Sequence, residues 1–215
     1  MSYTPGKYAF LLRKLHSLSG IIPVGLYLCE HLFSNGFATR GAESFDKIVG
    51  LLTGLPFLIV IEVALIIVPI LFHGIYGVFL TYEHQPNASQ YSYYRNWLFH
   101  FQRWTGILMI LYIGWHVYTT RIMSLVTGEH MNFAFMQQLL QNDLFFVFMV
   151  IGLAASVFHF SNGIWNFLIK WGLTVGPESQ KWSLVFFTAI GWAMFFWGLA
   201  SLFAFKGWWN FELFV

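Results

Sequence analysis

A chain of 215 residues with 9% charged side chains, 58% hydrophobic ones and a mean hydropathy of +0.64 is far from the composition of a water-soluble domain, about a quarter of which is charged. The net charge is only +2 and its cations are scattered, so a soluble enzyme and a nucleic-acid-binding surface are both excluded. The one cysteine, Cys29, also excludes an internal disulfide, Cys-ligated iron–sulfur clusters, Cys-rich zinc sites and covalent haem attachment.

The N-terminal stretch MSYTPGKYAFLLRKLHS has no apolar core followed by a small-residue cleavage site, so the first helix is expected to stay in the mature protein. A hydrocarbon core of about 30 Å takes roughly 20 apolar residues in a helix. Five runs reach that length. The first, Leu15–Gly36, carries Glu30 and His31; the second, Pro56–Tyr82, carries Glu62 and His73. Trp104–Val126 carries His116, Leu144–Ile169 carries His159, and Leu184–Phe205 carries no histidine. The connections are short and polar. The expected fold is therefore an all-α membrane protein, a five-transmembrane-helix bundle in one domain over residues 1–215, with 25 Phe and 10 Trp suited to lipid and its interface.

Orientation follows the cations. Lys7, Arg13, Lys14, Arg95, Arg103, Lys170 and Lys181 flank one side, and Arg40, Lys47, Arg121 and Lys206 the other, which puts the N-terminus in the cytoplasm. The acids Glu43, Asp46, Glu129, Asp143 and Glu212 fall on the outer side.

His84, His100 and His130 sit in expected loops or at helix ends and read as solvated. His31, His73, His116 and His159 lie one per span inside the first four, where ionisable groups are costly and usually functional. A weak two-helix repeat relates them. His31 and His73 are 42 residues apart and His116 and His159 are 43; Ser19-Gly20 and Thr105-Gly106 precede the first member of each pair. His73-Gly-Ile-Tyr-Gly77 and His159-Phe-Ser-Asn-Gly163 share H-x-x-x-G, which leaves Gly77 and Gly163 one turn from a histidine on the same face, with room for a flat macrocycle.

Depth pairs the four. At about 1.5 Å per residue, His73 and His159 lie roughly 15 Å from the inner helix ends, while His31 and His116 lie toward the outer side. The expected cofactors are two haem b groups held among the first four helices, the inner iron by His73 and His159 and the outer by His31 and His116, suited to electron transfer because bis-histidine ligation leaves no open iron position. A layout with both haems on two helices would use His16/His31 and His100/His116. Their spacings rotate the second ring by about 60° and 160°, and His73 and His159 are then left without a role.

With these residues the chain resembles the single-polypeptide, two-haem cytochrome b anchor of menaquinone-linked succinate dehydrogenases and fumarate reductases. The likeness is densest in Arg13-Lys-Leu-His-Ser-Leu-Ser-Gly-Ile-Ile-Pro23, Asn35-Gly-Phe-Ala-Thr-Arg-Gly-Ala-Glu43, Gln90-Tyr-Ser-Tyr-Tyr-Arg-Asn-Trp97 and Phe158-His-Phe-Ser-Asn-Gly-Ile-Trp165. The resemblance implies a bacterial cytoplasmic-membrane protein with a flavoprotein and an iron–sulfur protein docked on its cytoplasmic face, exchanging electrons with menaquinone. It also implies a basic partner for an inner haem propionate at Lys170, and an inner polar cluster at His16 and Ser17. Where some fumarate reductases of this family carry a proton-conducting glutamate, two residues before the last ligand, this chain has Val157. Quinone reduction takes up protons, and Glu62 and Glu30 are the intramembrane carboxylates available for that exchange. The other functional readings are the haem b membrane subunit of a hydrogenase or formate dehydrogenase, and a haem-free proton-coupled transporter.

Overall fold

The computed structural model describes residues 6–84 and 87–209, apart from the Lys7 side chain; Glu212 and the first five residues of the N-terminal segment lie outside them. Among the described residues all regular structure is helical. In chain order the helices are α1 (Lys7–Ile21), α2 (Val24–Gly36), α3 (Ala42–Thr53), α4 (Leu58–Tyr82), α5 (Tyr94–Val117), α6 (Phe133–Leu140), α7 (Asp143–Lys170) and α8 (Pro177–Lys206). A 3₁₀ turn, Phe37–Arg40, follows α2. Helix α4 winds as a π-helix over Glu62–Ile67, and α5 runs on through a π segment, Tyr118–Ile122, into Met123–Thr127.

These boundaries correct several expectations. The first apolar run is two helices, because Pro23 lacks an N–H and Ile22 before it takes an extended conformation, φ −129° and ψ 116°. The third helix begins ten residues before Trp104 and the last seven before Leu184. An apolar run measures what lipid covers, whereas a helix continues through polar flanks such as Arg95-Asn96 and Glu178-Ser179. The fourth run agrees within one residue at each end. The connections expected as loops hold α3 and α6, which turn Phe45, Met136 and Leu140 inward. Helices α4, α7 and α8 are long and apolar enough to cross a membrane.

Helix α7 is the axis of the assembly. Half of its most apolar stretch is buried, against none of that of α4, and it packs on α5, α8 and α1. Helix α4 packs on α1 and α5, so α1, α4, α5 and α7 form a ring, with α8 outside it against α7 and α2. At the end bearing α3 and α6 the core is dense: Phe45, Phe133 and Phe205 stack edge to face or tilted, with centroids 4.9 to 6.2 Å apart, beside Leu140, Phe146 and Met149. Asn132 and Asn142 cap α6 and α7 by accepting from the Phe135 and Phe145 amides. Lys206, 6% exposed at its side chain, closes the end of α8 by donating to the Leu140 and Gln141 carbonyls and to Asp143.

Close approach of α5 and α7 depends on Gly152, because a Cβ there would overlap the Tyr112 ring. Gly50 of α3 faces open space. Gly152→Ala is expected to destabilise the protein by about 1–3 kcal/mol through overpacking, and Gly50→Ala to be neutral or slightly stabilising through helix propensity. Thermal melts of the two variants in one detergent check this; equal midpoints would remove Tyr112–Gly152 as the controlling contact.

Candidate functional site

Four histidines come together as two pairs across helix interfaces. His73 of α4 faces His159 of α7 with ring centroids 6.2 Å apart and planes at 84°. His31 of α2 faces His116 of α5 at 5.8 Å and 80°. Two imidazole nitrogens, each about 2 Å from one shared metal, would place their ring centroids roughly 6 Å apart, so the separation of both pairs fits two residues that would hold one iron between them. Among the described residues no cluster of three or more His, Cys, Asp or Glu could hold a bare ion. Two side-chain ligands suit a group that brings its own equatorial donors, as a haem does.

The His73/His159 pair is built by one device used twice. Gly20 lies against the His73 ring, where any Cβ would overlap it, and Gly106 lies against His159, where a Cβ would stand 3.1 Å from Cε1. The residue before each glycine reaches the same imidazole: Ser19 Oγ is 3.4 Å from His73 Nδ1, and Thr105 Oγ1 is 3.2 Å from His159 Nδ1. The His16 carbonyl is a second partner for His73 Nδ1, at 3.0 Å. The Ser-Gly and Thr-Gly dipeptides, noted in the sequence for their spacing to His31 and His116, thus serve the other two histidines.

His16 stacks on His73, 4.1 Å between centroids and 7° from parallel, and points Nε2 to within 3.1 Å of where a Gly77 Cβ would lie. The matching place in the second half is held by Gln102, whose amide nitrogen lies 3.4 Å from the corresponding point at Gly163 and donates to the His159 carbonyl. Both H-x-x-x-G glycines therefore open onto a polar nitrogen, of α1 in the first half and of α5 in the second. Ser17 accepts from Trp171 Nε1 at 3.3 Å and Lys14 donates to the Lys170 carbonyl at 2.7 Å, which brings His16, Ser17 and Lys170 to one basic end of the bundle.

The His31/His116 pair sits in different company. Tyr27 and Tyr112, each four residues before its histidine, lie against the rings at 5.6 Å. That Y-x-x-x-H match is legible in the sequence and extends the repeat. Ser34 and Asn35 donate to the His31 carbonyl, and Thr119 and Thr120 to that of His116, while His116 Nδ1 is buried without a partner. Glu62 lies beyond this pair, ion-paired with Arg121 at 2.8 Å, both side chains about one quarter exposed at 26% and 25%. Each member sits on a π segment, a geometry often found at functional positions. Glu30 is exposed on α2. A cavity of about 450 Å³ opens beside Arg121, lined also by Asp46, Ser124 and His130.

Two histidines expected to be solvated are not. His100 is 4% exposed within α5, and His84 packs against it at 5.4 Å and against Phe99 at 4.4 Å; the Nε2 atoms of both are buried without partners. Burial, then the Arg103 charge and His100, hold the His84 imidazole below its ordinary range. The expectation for His100 failed because α5 begins earlier than its apolar run; His84 does lie in the loop after α4, half-buried. His130 is exposed, as expected.

Residues 81–200 match the family described as succinate dehydrogenase/fumarate reductase transmembrane subunit. The chain is also 42% identical over 204 residues, 93% of its length and 98% of the relative's, to the succinate dehydrogenase cytochrome b558 subunit of Bacillus subtilis (strain 168). The match spans every helix that carries one of the paired histidines, and it favours the succinate dehydrogenase reading over the hydrogenase and formate dehydrogenase alternatives. The chain belongs to the family of transmembrane subunits of succinate dehydrogenases and fumarate reductases.

Proposed function

We propose that this chain is the haem b anchor of a succinate:menaquinone oxidoreductase or menaquinol:fumarate reductase in a bacterial cytoplasmic membrane. The observation that carries the reading is the pair of cross-helix imidazole contacts at 6.2 and 5.8 Å, each joining one half of the repeat to the other. Five spans follow from α1 with α2, and from α4, α5, α7 and α8, with the N-terminus in the cytoplasm. His73 and His159 are the inner ligands, His31 and His116 the outer ones. Two haems so bound supply one-electron transfer across the bilayer.

The rest of the reading concerns the chain's own side chains. Gly77 and Gly163 put no side chain beside the inner ligands, where they face His16 and Gln102. Lys170, with His16 and Ser17, supplies the polar, cationic end suited to a propionate, and the basic flanks around Arg13, Lys14 and Arg95 meet an iron–sulfur subunit that works with a flavoprotein. At the outer end Glu62 exchanges protons with menaquinone and Arg121 holds it in place, with Glu30 a second carboxylate in the same half. Val157 is 3% exposed and supplies no proton, so that exchange is left to the outer end.

Replacing His73 or His159 by Ala is expected to remove one haem, and replacing His31 or His116 the other, with lower stability because each haem joins two helices. Haem quantitation and redox titration of the four single variants test this, and loss of the same haem from the His31 and His73 variants would refute the pairing.

Cysteines placed in the 87–93 segment are expected to resist an impermeant label applied outside intact cells, and cysteines at Glu43 or Glu129 to react. The opposite pattern would invert the inner and outer assignments.

Glu62→Gln keeps the side-chain volume and a hydrogen-bond acceptor for Arg121 but removes the titratable proton. Both haems are expected to stay, quinone-linked turnover to fall by about a hundredfold, and succinate or fumarate turnover with a soluble artificial carrier to stay near normal. Full menaquinone-linked activity across a pH series would make Glu62 a structural partner of Arg121 only.

A further inference from the structure

We propose that Ser19 and Thr105 are positioning residues that fix the tautomer and basicity of the inner imidazoles. The inference rests on the reading of His73 and His159 as axial ligands and goes beyond it in naming what prepares them.

Each hydroxyl already has a backbone acceptor for its proton. Thr105 Oγ1 is 2.7 Å from the Phe101 carbonyl and 3.2 Å from that of Gln102, and Ser19 Oγ is 3.0 Å from the His16 carbonyl. A hydroxyl has one proton and two lone pairs. With the proton committed to its own helix, each hydroxyl can only accept from the imidazole beside it. Nδ1 must then carry the hydrogen, which leaves the Nε2 lone pair as the ring's remaining ligating site. At His73 the His16 carbonyl, which can only accept, enforces the same choice independently at 3.0 Å. At His159 the Gln102 carbonyl takes the corresponding part beside the Thr105 hydroxyl.

Gly20 and Gly106 complete the device by letting the rings approach the helix that bears the hydroxyl. The outer pair is the internal control: His116 Nδ1 has no partner, and the hydroxyls and amide around His31 and His116 serve backbone carbonyls instead. An Nδ1–H that donates to oxygen makes the ring a more basic ligand and favours ferric over ferrous iron. Ser19 and Thr105 therefore lower the potential of the inner haem and leave the outer one alone.

The test is a redox titration of the intact complex, followed by the haem absorption bands and by the low-spin ferric EPR signals, in wild type, Thr105→Val, Thr105→Ser and Ser19→Ala. Thr105→Val is expected to lower the ferric-to-ferrous ratio of the inner haem at a fixed potential by about three- to tenfold, the worth of one hydrogen bond. For a one-electron couple that is an upward shift of roughly 30–60 mV. Ser19→Ala should move the same haem in the same direction; Thr105→Ser should match wild type. The outer haem should not move. An unmoved inner haem in Thr105→Val, or an equal shift of both haems, overturns the proposal. Loss of the inner haem from Thr105→Val with retention in Thr105→Ser supports it, and loss from both overturns it. A wild-type complex without bis-imidazole EPR signals overturns the ligation reading, and this proposal with it, whereas normal wild-type signals with an unmoved variant overturn this proposal alone.

Discussion

A polar nitrogen left without a partner in the interior of an apolar bundle costs several kcal/mol, and at His73 and His159 each Nδ1 is met by oxygen, as His116 Nδ1 is not. That constraint sets the rotation of the helices in the ring. Helix α1 turns Ser19 and Gly20 toward α4, and α5 turns Thr105 and Gly106 toward α7, since only those faces offer an acceptor for Nδ1 and space for the ring. Once they are so turned, the two rings stand 6.2 Å apart across the interface. Their near-perpendicular planes follow from two imidazoles pinned from two different helices, not from a stacking preference between them.

The two ends of the bundle are held by different physics. At the basic end the polar contacts are mostly exposed: Arg13 to Glu83, Arg95 to Gln180, Lys14 to a carbonyl. Pairs of that kind contribute about 0–1 kcal/mol and suit a surface that another subunit covers. At the opposite end Lys206 is buried and serves three acceptors, and Glu62 and Arg121 join two π segments. An aromatic core of Phe45, Phe133 and Phe205 locks α3 and α6 over that end. The rigid cap thus lies where the Glu62–Arg121 pair sits, and the polar, open end lies where Lys170 does.

What the sequence reveals about this molecule is governed by distance along the chain. Depth in a helix is counted in residues, so His73 and His159, and His31 and His116, could be matched before any coordinates. Helix faces are harder. The partnership of Thr105 with His159 spans 54 residues and that of Glu62 with Arg121 spans 59, and each depends on the rotation of two helices. The break at Pro23 was legible from proline chemistry, but the apolar run passes through it without a change in composition. Helices α3 and α6 escaped for the converse reason: they are too short to read as spans, and the polar faces of Glu43, Lys47, Gln137 and Gln138 resemble loop. His100 was misplaced because its neighbours Asn96, Gln102 and Arg103 look like a solvated helix end, while the folded chain buries that turn beneath His84 and Phe99.

The repeat explains why one chain carries both pairs. Positions 86 apart coincide for Ser19 and Thr105, Gly20 and Gly106, His73 and His159, and Gly77 and Gly163; the offset is 85 for Tyr27 and Tyr112, and for His31 and His116. Each pair takes its two members from equivalent helices of the two halves. Neither half alone can make either site. Symmetry of this kind would leave the two faces of the bundle alike, and α8, which has no counterpart, breaks it. Trp197 of α8 donates to the Leu32 carbonyl and fills the space beside Gly36, and Gly198 accepts Leu153 and Leu32. Helix α8 therefore clamps the first half to α7 on one side only. The two halves then differ where identity between them is not required, at His16 against Gln102, and agree where an imidazole must be cradled.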